Sequence, residues 1–363
     1  MRKLTIGIVG LGAVAEPHLL AYQRLGNAGV VAVADPRRAR VRDISRQYQV
    51  AGFSSCEELL ASTRPDIVCV LTPANTHREI TEQCAAAGAH VLCEKPMAVT
   101  VADAEAMERA CQAAGVEFFY GSSYRYLPAL QAARQLIGAG AIGRVRLICE
   151  QVLGGRGACG YQAMAPIHYP IGGPGGGGYG LVDHGIHLLD IVPWLCDSRI
   201  ASAMGRGDRT GARAQPEFAL LRLESGVLGS LLYDQSSWPA ELPSHGLFSE
   251  GKQWIEERGW VGECGEWDPR PGNICVYGDE GALRIFYYAN KLLVSGPQGV
   301  REERSPPATT PWHFGAQMQE FCSTLVCREP PACRAADGIR ALRALHAIYA
   351  SESCGRWQEL DVV

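Results

Sequence analysis

Residues 4–15 have the sequence LTIGIVGLGAVA, and this stretch is the strongest indicator of fold in the chain. A short apolar strand runs into Gly10, and a helix is expected to begin just after the second glycine. In such a G-x-G-x-x-A turn, Gly10 permits the tight bend and Gly12 lets the backbone approach a pyrophosphate. The start of the helix offers N–H donors and a partial positive charge. We therefore predict that Gly10, Gly12, Ala13 and Val14 bind a dinucleotide.

Asp35 ends the next predicted strand, residues 30–35. A carboxylate at this place can accept hydrogen bonds from both hydroxyls of the adenosine ribose, and it would repel a 2′-phosphate. Arg37 and Arg38 follow directly, and they are either binders of a 2′-phosphate or adenine, or the solvated start of a helix. The sequence thus favours NAD as the cofactor and leaves NADP open.

The first 123 residues alternate short apolar strands with helices. Strands are predicted at residues 4–10, 30–35, 66–72, 90–95 and 116–123, with helices at 14–26, 37–48, 76–87 and 100–114. Apolar strands that alternate with helices indicate a parallel sheet covered on both faces. We predict an α/β fold whose first domain, residues 1–123, is a doubly wound NAD(P)-binding Rossmann domain.

The character of the sequence changes after residue 123. Strands are predicted at residues 144–155, 217–226, 227–236, 273–279, 281–288 and 291–296, with helices at 181–196, 312–327 and 337–353. Runs of strands joined by hairpin-type turns indicate a second α/β domain with an open, largely antiparallel sheet. We assign residues 124–363 to this domain for substrate binding and oligomerisation, and the last helix either stays with it or packs back on the first domain.

Length and composition exclude several classes of protein. A chain of 363 residues is too long for a single core, so two domains are expected. A net charge of −4 supplies no footprint for nucleic acid, and no apolar run is long enough for a membrane helix. The start of the chain lacks the pattern of a signal peptide. The 14 cysteines contain no C-x-x-C pair, so we expect reduced thiols, no metal site and a cytoplasmic location.

Three polar segments stand out beyond the glycine turn. They are TPANTH at 72–77, EKP at 94–96 and GLVDHGIHLLD at 180–190. The first two follow predicted parallel strands, at the edge where open α/β sheets bind ligands. The third begins the helix that follows a glycine-rich stretch.

These segments, taken in order, resemble the glucose–fructose oxidoreductase / inositol dehydrogenase / rhizopine catabolism (Gfo/Idh/MocA) family. The resemblance rests on GLGAVA, TPANTH, CEKP, the SSYRYLP segment around Arg125, LVDHGIHLLD and the ending DGIRALRALHAIYASESCGRWQEL. It implies a Rossmann domain, NAD(P) and a sugar or cyclitol substrate. It also implies homo-oligomers, dimers or tetramers, packed through the open sheet.

The same resemblance implies that Lys95, Asp183 and His187 are the catalytic residues, and that they bind substrate. Histidine is the natural acid/base near neutral pH, and a lysine can steady charge that develops on the reacting oxygen. Asp183 and His187 are four residues apart and would share one face of a regular helix. His184 is the alternative candidate for the acid/base, but it would lie off this face. Asp190 is expected to have a structural role, as a helix cap or in an ion pair.

The remaining site residues are assigned around the cofactor and the substrate. The cofactor-binding set is completed by Thr72, Pro73, Asn75, His77, Glu94, Lys95 and Arg125. Arg125 is also a substrate ligand, with a purely structural ion pair as the alternative. Tyr161 and His168, in the glycine-rich loop 154–180, are expected to reach the substrate, and the alternative is that this loop is a mobile surface excursion. The tryptophan-rich segment 237–272 is either a platform for a glycoside or an oligomer contact.

We predict an NAD(P)-dependent enzyme that transfers a hydride between nicotinamide and a secondary alcohol or ketone of a sugar, glycoside or cyclitol. Two alternatives remain. The first is a glycosidase that oxidises C3 transiently, eliminates the aglycone and recycles a bound NAD. The second is a ligand-sensing regulator on the same scaffold, without turnover.

Overall fold

The computed structural model describes residues 3–153, 180–207, 216–234, 273–287, 290–304 and 313–360. The chain divides into two compact units. The first comprises Met1–Ser123 and Thr310–Arg340, and the second comprises Tyr124–Thr309 and Ala341–Val363. The chain thus returns to the first unit for residues 310–340. The sequence analysis assigned residues 124–363 to the second domain and left open that the last helix packs back on the first.

The first unit contains a six-stranded sheet in which all neighbouring strands are parallel. Its strands are β1 (Leu4–Val9), β2 (Ala28–Ala34), β3 (Ala51–Phe53), β4 (Ile67–Val70), β5 (His90–Glu94) and β6 (Phe118–Gly121). Their order is β3-β2-β1-β4-β5-β6. The helices between them are α1 (Ala15–Tyr22), α2 (Arg38–Tyr48), α3 (Cys56–Thr63), α4 (His77–Ala86) and α5 (Val101–Ala114). This is the predicted doubly wound Rossmann topology, with the order reversing between β1 and β4.

Burial explains why these strands lack an alternating pattern. Every residue of β4 and β6 is buried, as expected for parallel strands that are covered on both faces. The sequence analysis missed β3 and α3. A three-residue strand carries no readable period, but α3 has a recognisable start, because Ser55 accepts a hydrogen bond from the backbone N–H of Glu58.

The second unit contains a nine-stranded sheet of the predicted, largely antiparallel kind. Its strands are β7 (Val145–Leu153), β8 (Ile200–Arg206), β9 (Glu217–Leu223), β10 (Leu228–Asp234), β11 (Asn273–Gly278), β12 (Ala282–Phe286), β13 (Lys291–Gly296), β14 (Gly299–Arg304) and β15 (Gln358–Glu359). Their order is β14-β13-β12-β11-β7-β10-β9-β8-β15, and among these described strands only β7 and β10 pair in parallel. Strands β8, β14 and β15 were not predicted.

Among the described residues, the side chains on one face of this sheet are buried and several on the other face are exposed. Helix α6 (Pro128–Gly138), which was not predicted, and helix α7 (Ile186–Cys196) belong to this unit, and a π-helical turn over Gly180–Gly185 leads into α7. Along β9, Glu217, Ala219 and Leu221 are buried while Phe218 and Leu220 are exposed. This alternation is typical of a strand with one solvated face.

The last two helices are α8 (His313–Cys327) and α9 (Ala335–Cys354). Helix α8 packs on α1, and its apolar side explains why the chain returns to the first unit. The boundary between the units falls within α9. Among the described residues, no helix is both long and apolar enough to cross a bilayer.

Candidate active site

The glycine turn of the first unit has the geometry that the sequence predicted. Gly10 has a φ of +95°, and a Cβ at this residue would lie 2.7 Å from the carbonyl group of Leu71. Both the backbone angle and the close approach of the chain therefore require glycine. The first helical turn follows immediately, since the N–H of Ala15 bonds to the carbonyl of Gly12.

Gly12 shows that this turn fits a dinucleotide. Apart from its two neighbours in the chain, no described residue has an atom within 4 Å of the place where a Cβ at Gly12 would stand. Packing within the protein therefore does not require glycine here, but close contact with a pyrophosphate does. The residues that would hold this group are Gly12, Ala13 and Val14, at the N-terminus of α1.

Asp35 directly follows β2 and is tied to the glycine turn. Its carboxylate accepts hydrogen bonds from the N–H of Leu11 at 2.8 Å and from the Nε and Nη2 atoms of Arg37, each at 2.8 Å. Burial raises the pKa of Asp35, but these hydrogen bonds outweigh it, so the net pKa lies below its usual value. Asp35 is therefore ionised beside the glycine turn, where the ribose is expected, and the exposed Arg37 is its ion-pair partner.

His77 links the two polar loops that follow β4 and β5. Its ring is buried, with Nε2 lying 2.7 Å from the carbonyl oxygen of Thr72 and Nδ1 lying 3.1 Å from that of Met97. Burial lowers the pKa of His77. Pro73 and Asn75, in the first of these loops, are exposed.

Lys95 directly follows β5 and is half-buried. Its position is set by its neighbour Glu94, whose carboxylate accepts a hydrogen bond from the backbone N–H of Lys95 at 3.0 Å. The other carboxylate oxygen of Glu94 lies 3.1 Å from Nε2 of the buried His18. Glu94 therefore holds the turn that carries Lys95, and its role as a cofactor ligand stays a prediction.

In the second unit, a buried carboxylate anchors the start of the segment that carries Asp183 and His187. Glu217 accepts hydrogen bonds from the backbone N–H groups of Gly180 and Leu181. Negative charge at the start of a helix is favourable because the N–H groups there have no partner within the helix. The sequence analysis did not single out Glu217.

The π-helical turn changes the predicted relation between Asp183 and His187. A regular helix would have put both on one face, with His184 away from it. The wider turn at Gly180–Gly185 ends just before His187, so the four-residue spacing does not span regular α-helix. The ring of Tyr124 stacks on His187 with centroids 3.8 Å apart and planes 5° apart, and it meets the edge of His184 at 5.9 Å.

His184 contacts a second buried carboxylate, Glu150 of β7. The Nε2 atom of His184 lies 3.2 Å from both oxygens of Glu150. Tyr233 and Tyr287 donate hydrogen bonds from their hydroxyl groups to the same carboxylate at 2.8 and 2.7 Å. The sequence analysis missed Glu150, Tyr124, Tyr233 and Tyr287. The sole available signal was a carboxylate placed between apolar residues of a predicted strand.

Arg125 and Asp190 form a buried ion pair. The Nε of Arg125 donates to Asp190 Oδ2 at 2.7 Å, and its Nη2 donates to the other oxygen. This is the structural pairing that the sequence analysis held as the alternative for Arg125, and it engages two donors of the guanidinium. Tyr161, His168, the loop 154–179 and the segment 237–272 lie outside the described residues, so their predicted contacts stay predictions.

Comparisons with known proteins identify the family. The model of the GFO/IDH/MocA oxidoreductase family, NAD-binding Rossmann fold, matches residues 4–122, and the model of the GFO/IDH/MocA C-terminal domain matches residues 130–284. D-apiose dehydrogenase of Paraburkholderia graminis is 30% identical over 99% of this chain and 90% of that protein. Myo-inositol 2-dehydrogenase of Thermotoga maritima is 26% identical over 93% of each chain.

The fold has close counterparts among solved structures. Aldose-aldose oxidoreductase from Caulobacter crescentus, solved in complex with glycerol, superposes with a TM-score of 0.79 at 24% identity, over 99% of this chain and 100% of that chain. The predicted resemblance is confirmed. The chain belongs to the GFO/IDH/MocA family of oxidoreductases, and its first unit carries the NAD-binding Rossmann fold of that family.

Proposed function

We propose that this chain transfers a hydride between NAD and a secondary alcohol or ketone of a sugar, glycoside or cyclitol. The observation that carries the proposal is the imidazole of His187, which is buried and stacked on Tyr124 at 3.8 Å in a chain with an NAD-binding domain. The acid/base of such a reaction must be held in one orientation, and this stacking supplies that restraint.

The roles of the residues follow from the chemistry. Oxidation of an alcohol removes a hydride from carbon and a proton from oxygen, and NAD accepts the hydride when it is bound. His187 takes the proton, and in the reverse direction returns it. Lys95 donates a hydrogen bond to the reacting oxygen and stabilises the negative charge that develops there. Asp183 orients a substrate hydroxyl or the imidazole.

The substrate class is supported by the relatives. The two proteins compared above are named for D-apiose and myo-inositol, so polyhydroxylated substrates are the class to examine first. NAD is expected to serve better than NADP, because Asp35 keeps its charge where a 2′-phosphate would bind.

The test is a screen of substrates with NAD, followed by the absorbance of the reduced nicotinamide. The panel contains D-apiose, other aldoses, inositols and glycosides. Replacement of Lys95 or His187 by alanine is expected to lower kcat by about 10²–10⁴-fold while NAD still binds. Lys3→Ala, on an exposed residue, is the matched control and is expected to keep full activity. Near-normal turnover in both active-site variants would refute the assignment.

We also propose a homo-oligomeric state and a cytoplasmic location. The exposed face of the second sheet bears the apolar residues Leu147, Phe218, Leu220, Leu228 and Tyr277, and apolar side chains that share one exposed face favour an interface between protein chains. The twelve described cysteines are all free thiols, which fits a reducing compartment.

A further inference from the structure

Glu150 is a buried carboxylate in the middle of a sheet whose neighbouring positions are apolar. It lies on β7, and Ile148 and Val152 occupy the same covered side of that strand. Glu150 is 1% exposed. Burial of a carboxylate is costly unless several donors surround it, and an apolar residue would serve the packing better. Its presence therefore calls for a reason other than stability.

Three donors converge on this carboxylate. They are the hydroxyl groups of Tyr233 and Tyr287, at 2.8 and 2.7 Å, and Nε2 of His184, at 3.2 Å. The hydroxyl of Tyr287 also lies 3.0 Å from the same Nε2 atom. Because Nε2 faces a carboxylate, it carries a proton. Glu150 thus sets the ring orientation of His184 and the hydroxyl direction of both tyrosines.

A continuous series of contacts leads from Glu150 to the proposed acid/base. The ring of Tyr287 packs on Tyr124 with centroids 5.4 Å apart, and His184 meets the edge of Tyr124 at 5.9 Å. Tyr124 in turn stacks on His187. Tyr287 and His184, which both contact Tyr124, are therefore held by Glu150. If they moved, the aromatic surface against which His187 lies would move with them.

We propose that Glu150 is a positioning residue for His187, acting through Tyr287, His184 and Tyr124. The inference rests on the proposed function, since it assigns a purpose to the orientation of the acid/base. Glu150 itself touches no reacting atom in this assignment. It keeps the imidazole in the orientation from which a proton can pass to or from the substrate oxygen.

The test compares Glu150→Gln with wild type. Glutamine has the same shape, and its NH2 group can donate to a tyrosine hydroxyl, so the fold is expected to persist. The charge and the second acceptor oxygen are lost. We expect kcat to fall by about 10–100-fold, since small displacements of catalytic groups have effects of this size. KM is expected to stay within about threefold, and the midpoint of thermal unfolding and the binding of NADH should not change.

Two further variants sharpen the test. Tyr287→Phe is expected to lower kcat in the same way, and the double variant Glu150→Gln/Tyr287→Phe should be no slower than Glu150→Gln alone, since both act through one series of contacts. Glu280→Gln, in the exposed turn between β11 and β12, is the matched control and should keep wild-type kcat. The proposal would be overturned if Glu150→Gln left kcat unchanged. It would also be overturned if the losses of kcat in Glu150→Gln and Tyr287→Phe multiplied in the double variant.

A readout without turnover separates this inference from the proposed function. The ring ¹⁵N signals of His184 and His187 are assigned by their loss in His184→Gln and His187→Gln. In Glu150→Gln, with the fold intact, both signals are expected to move. If wild type oxidises no substrate of the panel, the proposed function fails, and these signals still decide the positioning role. An unchanged His187 signal in Glu150→Gln would overturn it.

Discussion

Asp35 bonds to the glycine turn and pairs with Arg37, and the sequence could indicate only its position. The predicted position at the end of β2 is confirmed, and the carboxylate bonds to the N–H of Leu11 in the glycine turn. The sequence could not show that Arg37 would clasp both carboxylate oxygens, because that contact depends on the path of the chain after β2.

The first prediction concerns cofactor choice. We expect kcat/KM with NAD to exceed that with NADP by at least about tenfold, an electrostatic penalty of roughly 1.4 kcal/mol for a 2′-phosphate beside Asp35. Asp35→Ser, with Arg37 released from its partner, should narrow or reverse this ratio. Parallel kinetics with the two cofactors measure this ratio. An equal or higher kcat/KM of the wild type with NADP would contradict the preference for NAD.

The second prediction concerns His313, on α8 of the first unit. Burial lowers the pKa of His313 well below its usual value, and the neighbouring His18 contributes in the same direction. The folded protein therefore binds fewer protons than the unfolded chain between the two pKa values. The free energy of unfolding is therefore unaffected by His313 above about pH 6.5. It falls as the pH drops below this value, because the unfolded chain takes up a proton that the folded protein does not bind.

Urea unfolding at pH 7.5 and pH 5.5 measures this effect. Since the unfolded ring has a pKa near 6.5, the loss for one such histidine at pH 5.5 is about 1.4 kcal/mol. His313→Gln is expected to reduce the loss by about that amount, whatever its stability at pH 7.5. Burial also lowers the pKa of His77. The variant is therefore expected to keep a smaller loss of unfolding free energy between pH 7.5 and pH 5.5, due to His77. An identical loss in both proteins would show that His313 does not contribute.

Some residues of the candidate site lie within a recognisable sequence motif, and others do not. Gly10, Gly12, Lys95 and His187 lie within ordered motifs, so the sequence alone could indicate them. Glu150, Glu217 and Tyr124 become part of the site only when a strand or a turn brings them beneath the π-helical turn and α7. No spacing along the chain records such contacts.

The π-helical turn before α7 is the element that the sequence analysis described least well. The motif predicted a regular helix over 181–196, whereas the α-helix begins at Ile186 after the π-helical turn. The turn is held by Glu217 and by the close approach of Tyr233. Most of the longer helices and apolar strands were predicted, but β3 and β15 have only three and two residues, too few for a readable period. Strand β14, with the sequence GVREER, has a single large apolar residue and so carries no apolar pattern.

The third prediction tests this turn with Gly180→Ala. A Cβ at Gly180 would lie 2.4 Å from Cβ of Tyr233 and 2.9 Å from Oε2 of Glu217, so the turn must shift. We expect a loss of about 1–3 kcal/mol in stability and a lower kcat, with NAD binding retained. Thermal unfolding and NADH titration check these outcomes.

Gly138→Ala is the matched control, because a Cβ at Gly138, at the end of α6, meets no atom within 4 Å. It should leave stability unchanged or slightly higher. If Gly180→Ala behaved like this control, the tight contact at the turn would have no energetic role.

The molecule as a whole combines a nucleotide-binding unit with a sheet that leaves one face open. This division, with a boundary after residue 123, could be predicted because the pattern changes from alternating strands and helices to runs of strands. The return of residues 310–340 to the first unit could not, since it depends on the packing of α8 on α1.

The fourth prediction concerns assembly through the open face. Leu228, the first residue of β10, is 50% exposed on this face, and Leu228→Arg is expected to convert the oligomer to a monomer, as measured by light scattering after gel filtration. Val326, on α8, is 47% exposed and is the matched control. Val326→Arg should leave the assembly intact. A monomeric wild type, or an oligomeric Leu228→Arg variant, would refute the proposed interface.

The proposed hydride transfer is tested most directly by the ratio of reduced nicotinamide formed to sugar consumed, with the best substrate of the panel and excess NAD. An alcohol–carbonyl oxidoreductase, with His187 as its acid/base, is expected to form one NADH for each molecule oxidised. His187→Gln should form it far more slowly with the same ratio. Consumption of substrate without any net NADH would show a cycle that restores the cofactor, and the proposed function would then be wrong.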